Sequence, residues 1–381
     1  MTPAAERRFA SLIGALTADA AAMGLHWLYD AARIPEVSGG RPEFQEPRAE
    51  NYHQGGGYFA HPQLEAGDNS QYGESLLAFV RGINAAGGRL EVRQLQQSFR
   101  DAFGPGGRWH GYIDHPTRIT LANLLAGENA GREAEAKLLG ETSLAPGRQH
   151  EVQRIVAPLA KVKSGQALLD AVRAEADAEL LDVALAVAKA RDEALPLASG
   201  AQDEQLPALP SVVATVACDP TAPDLLERVE RSLRVTHDDE RALVWARFLA
   251  SALSAALTGA ALPDAIEAGL AGEDSVRARV EEALALEEQD PAELAGKLGR
   301  ACYLRDGLPI VCALASRASS WREAARWNVL AGGDSCGRAI PLGALLGATW
   351  GIGGERGLPY DWLARVRNLA DKVDACLQLA S

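Results

Sequence analysis

Apolar residues recur at i, i+3 and i+4 along most of the chain, the spacing that turns one face of a helix toward a core. The pattern is clearest in "GQALLDAVRAEADAELLDVALAVAKARDEA", which predicts one helix over 165–193 with its charges on the outer face. "FASLIGALTADAAAMGLHWLY" is apolar nearly all round and predicts a buried helix over 9–29. Further helices are predicted over 70–84, 91–103, 117–127, 150–163, 222–235, 238–258, 263–270, 275–288, 291–305, 309–315, 321–330 and 338–352. The C-terminal "DWLARVRNLADKVDACLQLA" reads as a last amphipathic helix. Two Gly- and Pro-rich stretches, 35–67 and 104–116, interrupt this order as long loops, which in compact proteins are often functional. "QDEQLPALP" reads as a short connector and "ALEEQDPAE" (285–293) as a solvated acidic run. No strand pairs, fixed-period repeat or clean linker stands out. The expectation is an all-α, single-domain chain over residues 1–381.

Composition agrees: 47% of the 381 residues are hydrophobic and only 6% aromatic, with alanine and leucine suiting closely packed helices. The formal net charge of −13 comes without any Lys/Arg-rich block, so nucleic acid is not an expected partner. An anionic ligand would need a local cation, from a metal or an arginine. The five cysteines are scattered, without zinc spacing. The N-terminal apolar run is short for a secretory signal and is broken by Asp19. No stretch of 18 apolar residues appears, so no membrane span is expected, and the location expected is cytoplasmic. No apolar face stands out as exposed, which leaves the oligomeric state open.

Polar residues in apolar settings cluster at three loop–helix junctions. "EAGDNSQYGESLL" carries Asp68, Asn69 and Ser70, and "GYIDHPTRITLANLL" carries Asp114. "AGGDSCGRAIPLGALLGA" carries Asp334, Ser335, Cys336 and Arg338. Asp, Asn and Ser at such places are helix caps, because their oxygens accept free backbone N–H groups. The same oxygens suit a hard cation such as Mg²⁺ if the fold brings them together. Cys336 reads as a small buried residue, a soft ligand or a nucleophile. Arg338, one turn after Asp334, is either a surface residue or a guanidinium that neutralises Asp334 and Asp68 in place of a lost cation. Pro341 implies that the helix begins there or is kinked. Gly343 and Gly347, four apart, predict close helix–helix packing, and His26 and His237 read as core histidines.

The stretch from Gly332 through "GATWGIGGERGLPYDWL" resembles the C-terminal signature of the ADP-ribosylglycohydrolase family, where Gly-Gly-Asp-Thr-Asp-Thr opens a small-residue helix. "AGDNSQYGESLL" resembles its Thr-Asp-Asp-Thr motif, "YIDHPTRIT" its Asp-Ile-Gly-x-Thr region and "VTHDDERALVWARFLASAL" its Thr-His helix. "ADAAAMGLHWLYD" resembles the branch that contains the J-crystallins and a related selenoprotein. The resemblance runs almost end to end. It implies a roughly orthogonal helix bundle and a cleft where two magnesium ions lie beneath the ribose of an ADP-ribosyl group.

It also implies roles for particular residues. Asp68, Asp114 and Asp334 take the catalytic positions. Asp68, Asn69, Asp334, Ser335 and Cys336 take the metal positions, and Asn69, Ser70, Arg154, Ser335 and Arg338 the ligand positions. Arg154 would meet the pyrophosphate, while Tyr58, Phe59 and Tyr72 would stack on adenine or pack in the core. Two of the family's four motif acids are missing, because Asn69 and Cys336 stand in their places. One magnesium ion at most is therefore expected. The implied function is a hydrolase acting at the anomeric carbon of an ADP-ribosyl or related ribosyl group, with ADP-ribose or an ADP-ribosylated substrate as partner. The other readings are a crystallin-like binding or structural protein, and a glycoside hydrolase working through carboxylates without metal.

Overall fold

A computed structural model describes the backbone of residues 1–381 and the side chains of all but residues 54 and 55. The chain is helical from end to end, and isolated bridges such as Leu28–Gly333 are the only β pairing among the described residues. α1 (Pro3–Ala22) starts at a Thr2 cap and passes into a 3₁₀ turn over Met23–Leu25. The helical spacing predicted to Tyr29 ends early because Trp27 takes φ 61°, outside the right-handed helical region. The loop that follows holds the short α2 (Ile34–Ser38) and a 3₁₀ segment over Ala49–Gly55. Ser70 then caps α3 (Gln71–Ala85), and α4 (Val92–Phe103) follows.

α5 (His115–Gly140) is more than twice the predicted length. Its buried face continues through Leu124, Gly127, Gly131, Glu135 and Leu139, where glycine and glutamate hide the helical period from a count of apolar residues. α6 (Pro146–Val162) comes next. The single helix predicted over 165–193 is two, α7 (Gly165–Glu175) and α8 (Leu181–Ala194). Ala176 is extended between them, and the Asp177 carboxylate accepts from the Glu179 and Leu180 amides. That local bonding competes with helix continuation. α9 (Leu209–Cys218), nine of whose ten residues are buried, starts at the end of the predicted connector and was not foreseen. α10 (Leu225–Leu233), α11 (Glu240–Leu257), α12 (Leu262–Gly272) and α13 (Arg277–Ala285) follow close to prediction. The helix predicted over 291–305 stops at Gly299, giving α14 (Pro291–Leu298) and then α15 (Leu304–Arg317). α16 (Trp321–Leu330), α17 (Ser335–Trp350), α18 (Tyr360–Leu363) and α19 (Leu369–Ala380) complete the chain.

α1 and α17 pack against each other at the centre. A Cβ on Gly343 would lie 2.3 Å from the Gly14 carbonyl oxygen, and one on Gly347 2.1 Å from that of Ala10. The two backbones therefore touch, and only glycine fits there. Every residue of α17 from Ser335 to Ala348 is buried, and burying Leu342, Leu345 and Leu346 contributes about 1.5–3 kcal/mol each. Pro341 lies inside this helix rather than at its start. The main core joins α1, α3, α4, α9, α11 and α17, with a smaller cluster under α6–α8 and another between α14 and α15. Among the described residues no helix is long and apolar enough to cross a membrane.

Candidate active site

The ends of three helices meet beside the α1–α17 pair. Asp334 caps α17, where its Oδ1 accepts the Gly337 amide at 2.9 Å and its Oδ2 accepts the Tyr72 hydroxyl at 2.8 Å. Gly332 and Gly333 precede it with φ of 72° and 66°, a left-handed turn that L side chains rarely adopt. The turn is pinned to the first loop, since Trp27 N donates to Gly333 O and Gly333 N to Leu28 O. Asp114 caps α5 through the Thr117 amide at 2.8 Å. Its other oxygen accepts from the Gln71 side-chain amide, and Gln71 Oε1 accepts the Asp114 amide in return. Consecutive residues at the start of α3, Gln71 and Tyr72, thus hold two buried carboxyls from opposite ends of the chain. Burial pushes both acids upward, and Asp334 raises Asp114 further. A cavity just large enough for a water lies beside Gln71, Tyr72, Asp114 and His237.

Three buried histidines line this region. His26 Nδ1 lies 3.7 Å from Asp334 and accepts the Cys336 amide, which fixes its proton on Nε2. Burial holds the ring well below its ordinary value, so the contact with Asp334 is with a neutral imidazole. His61 stacks on His26 at 5.5 Å between ring centres and is held down to about 4 by burial. His237 is pushed down to about 3 for the same reason. Trp27, Tyr58 and Tyr112 pack edge to face or tilted at 5.1–5.8 Å between ring centres, joining the 35–67 and 104–116 loops beside His26. Tyr58 is exposed, whereas Tyr72 is buried on Asp334 rather than free to stack.

The residues expected to bind metal do not converge. Asp68 lies at the surface side, with Oδ1 3.1 Å from Arg367 Nε and Oδ2 accepting the Glu65 amide. Asn69 and Ser70 are turned inward to Asp19, whose carboxylate accepts the Asn69 amide at 2.8 Å, the Ser70 hydroxyl at 2.5 Å and the Ser70 backbone at 2.9 Å. Cys336 is buried against the Asp19 carbonyl, and burial keeps it a thiol rather than a thiolate. Ser335 is buried at the first turn of α17. Among the described residues, no group of three or more His, Cys, Asp or Glu side chains stands where it could hold a metal ion. The family's magnesium ions do not fit this donor set.

Arg338 does not bridge Asp334 and Asp68. It is fully buried, and it donates to Asn328 Oδ1 at 3.0 Å, to the Asn328 carbonyl at 3.2 Å and to Gly332 O at 2.6 Å. Its charge still lowers the Asp334 acid, and burial pulls the guanidinium itself down to about 10. It braces the glycine turn, because Asn328 and Gly332 flank that turn. Arg154 lies elsewhere, exposed on α6 and paired loosely with Glu151 at 3.6 Å. Sequence reading missed Asp19, Gln71 and His61. An acid in a helix apolar all round was a signal for Asp19, since such an acid must find partners.

No curated protein matches this chain. A solved structure described as an ADP-ribosylglycohydrolase-related protein complex shares the fold, with a TM-score of 0.58 at 17% identity, over 100% of this chain and 99% of that one. A model of the ADP-ribosylglycohydrolase family matches residues 1–381, the whole chain, and the protein belongs to that family.

Proposed function

We propose that this protein is an ADP-ribosylglycohydrolase-type hydrolase that cleaves an ADP-ribosyl or related ribosyl group at the anomeric carbon through Asp114 and Asp334, without a magnesium centre. The observation that carries the reading is the pairing of both buried acids to Gln71 and Tyr72. Hydrolysis at an anomeric carbon needs one group to take a proton from water and another to protonate the leaving atom. Asp334, kept the more acidic of the two by Arg338 and by the bonds from Tyr72 and Gly337, receives the proton of the attacking water. The carbon–leaving-group bond breaks as the new C–O bond forms, and the leaving atom takes its proton from Asp114. Burial and the charge of Asp334 favour the protonated form that Asp114 needs, so turnover falls as pH rises through its raised value.

A second reading, binding without turnover, is favoured by the diversion of Asp68 to Arg367. The "ADAAAMGLHWLYD" stretch supports it too, through its likeness to the J-crystallin branch.

Release of ADP-ribose from an ADP-ribosylated protein, followed with and without EDTA, tests the proposal. Turnover that survives EDTA and falls about 100-fold or more in Asp334→Asn is the expected result. Turnover abolished by EDTA would sink the metal-free assignment. ADP-ribose binding with no turnover would favour the second reading.

A further inference from the structure

A second cavity, of about 250 Å³, lies between α4, α5, α6 and α8 and shares no lining residue with the Asp114–Asp334 site. Its wall is basic in a chain of net charge −13. Arg93 and Arg100 come from α4, Arg132 from α5, Lys161 from α6 and Arg191 from α8, against Glu128 as the one lining carboxylate. Two further acids stand behind the wall, with Asp192 on Arg93 at 2.9 Å and Glu135 on Arg191. Arg100 pairs with Glu128 at 2.7 Å. Five cations against three carboxylates leave a local excess of two positive charges.

The buried member is Arg93, only 2% exposed. Its terminal nitrogens are bonded to Asp192, Gln96 and the Leu195 carbonyl, while its Nε–H has no partner among the described residues. Gly127 and Gly131 lie on the α5 side of the cavity, where a Cβ would meet Leu195 and Arg191 and the helices approach closely. Lys161 and Arg132, both exposed, stand where a ligand would enter.

We propose that this groove binds a compact phosphate group. Guanidinium forks match the paired oxygens of phosphate, and a dianion balances the local excess of charge. The volume is below the ~300–1,000 Å³ of sites that enclose drug-sized ligands, so the phosphoryl group itself is what the groove holds. It enters either as the free ion or as the end of a phosphate monoester.

Calorimetric titration of the full chain with inorganic phosphate, and separately with AMP, in chloride buffer tests this. Saturable one-site binding of phosphate is expected, weakened at least about tenfold in Lys161→Gln and in Ala160→Glu. The first removes an exposed cation without touching the core. The second sets a carboxylate in the groove, and circular dichroism would check that its helices are retained. Phosphate binding tighter than that of AMP identifies the free ion as the ligand; the reverse order identifies the monoester. No saturable heat up to about 10 mM phosphate, or equal affinity in the parent and Lys161→Gln, overturns the proposal.

Discussion

Buried titratable side chains give the centre of this molecule a pH dependence that each residue's surroundings determine. His61 is the cleanest case. In the unfolded chain it takes up a proton below about 6.5, whereas burial in the fold holds it down to about 4. A lowered histidine contributes stability that is complete above the unfolded value and is lost as pH falls from 6.5 toward 4. Between pH 7 and pH 5 the loss from His61 alone is about 2 kcal/mol. His61→Asn removes this contribution, so the stability gap between parent and variant should narrow by about 2 kcal/mol over that interval. Urea unfolding at the two pH values measures it, and a gap that stays constant would refute the burial argument. Asp19, Asp114 and Asp334 act with opposite sign. Their raised values mean that they stabilise the fold most in acid and lose that contribution as pH rises. Comparison of parent with variant isolates His61 from this opposing slope. At this scale the sequence showed where polar groups sit but not their partners. Asp114, Asn69, Ser70, Asp334 and Ser335 were visible at helix starts, yet neither reading of Arg338, at the surface or between Asp334 and Asp68, matches its place. Arg367, which claims Asp68, is distant from it in sequence, and Asn328, which claims Arg338, is buried in a different helix.

Helices of this chain are legible where apolar residues mark the buried face and obscure where small or polar residues do so. α5 was cut short because Gly127, Gly131 and Glu135 carry its buried face, and α7–α8 were fused because Asp177 ends the run without any glycine or proline. Close helix–helix packing at Gly343 and Gly347, which stand one turn apart, was legible, but not that α1 is the partner. The energetics of the α1–α17 contact make a prediction at the element scale. In Gly347→Ala the new Cβ would sit 2.1 Å from the Ala10 carbonyl, and neither backbone can yield without parting the central pair. The expected cost is about 3 kcal/mol or more, at the upper end of overpacking effects. Gly147→Ala supplies the contrast: nothing lies within 4 Å of its Cβ, and it is exposed in the first turn of α6. That substitution should be neutral or stabilise by about 0.5 kcal/mol, because alanine loses less backbone freedom in a helix. Thermal unfolding of the two variants side by side reads the difference. A Gly347→Ala protein as stable as the parent would mean that the two helices do not touch.

Across the whole molecule, stability is unevenly shared, and the unevenness follows the hydrophobic clusters. The main core links the N-terminal helix to α17 and draws in α3, α4, α9 and α11. The cluster under α6, α7 and α8 holds only Leu139, Val152, Val156, Leu168, Val172, Leu180, Ala184, Val187 and Ala188. α6 and α7 each bury two side chains fully, so little apolar area is lost if they open. Much of what ties this region down is polar: Arg148 bridges Glu151, Asp177 and Glu179, and these partly exposed ion pairs are each worth little in water. Opening of α6 and α7 should therefore cost far less than global unfolding, whereas α1, α9 and α17 can exchange their amides only when the whole core opens. Hydrogen exchange read by mass spectrometry should show the amides of Val152–Val162 and Leu168–Glu175 exchanging at least about 100-fold faster than those of Leu342–Ala348. Added salt should speed the first group by screening the Arg148 network and leave the second unchanged. If both groups exchange at one rate, the two clusters form a single cooperative unit, and the α6–α8 cluster is then held by the main core rather than by its own side chains.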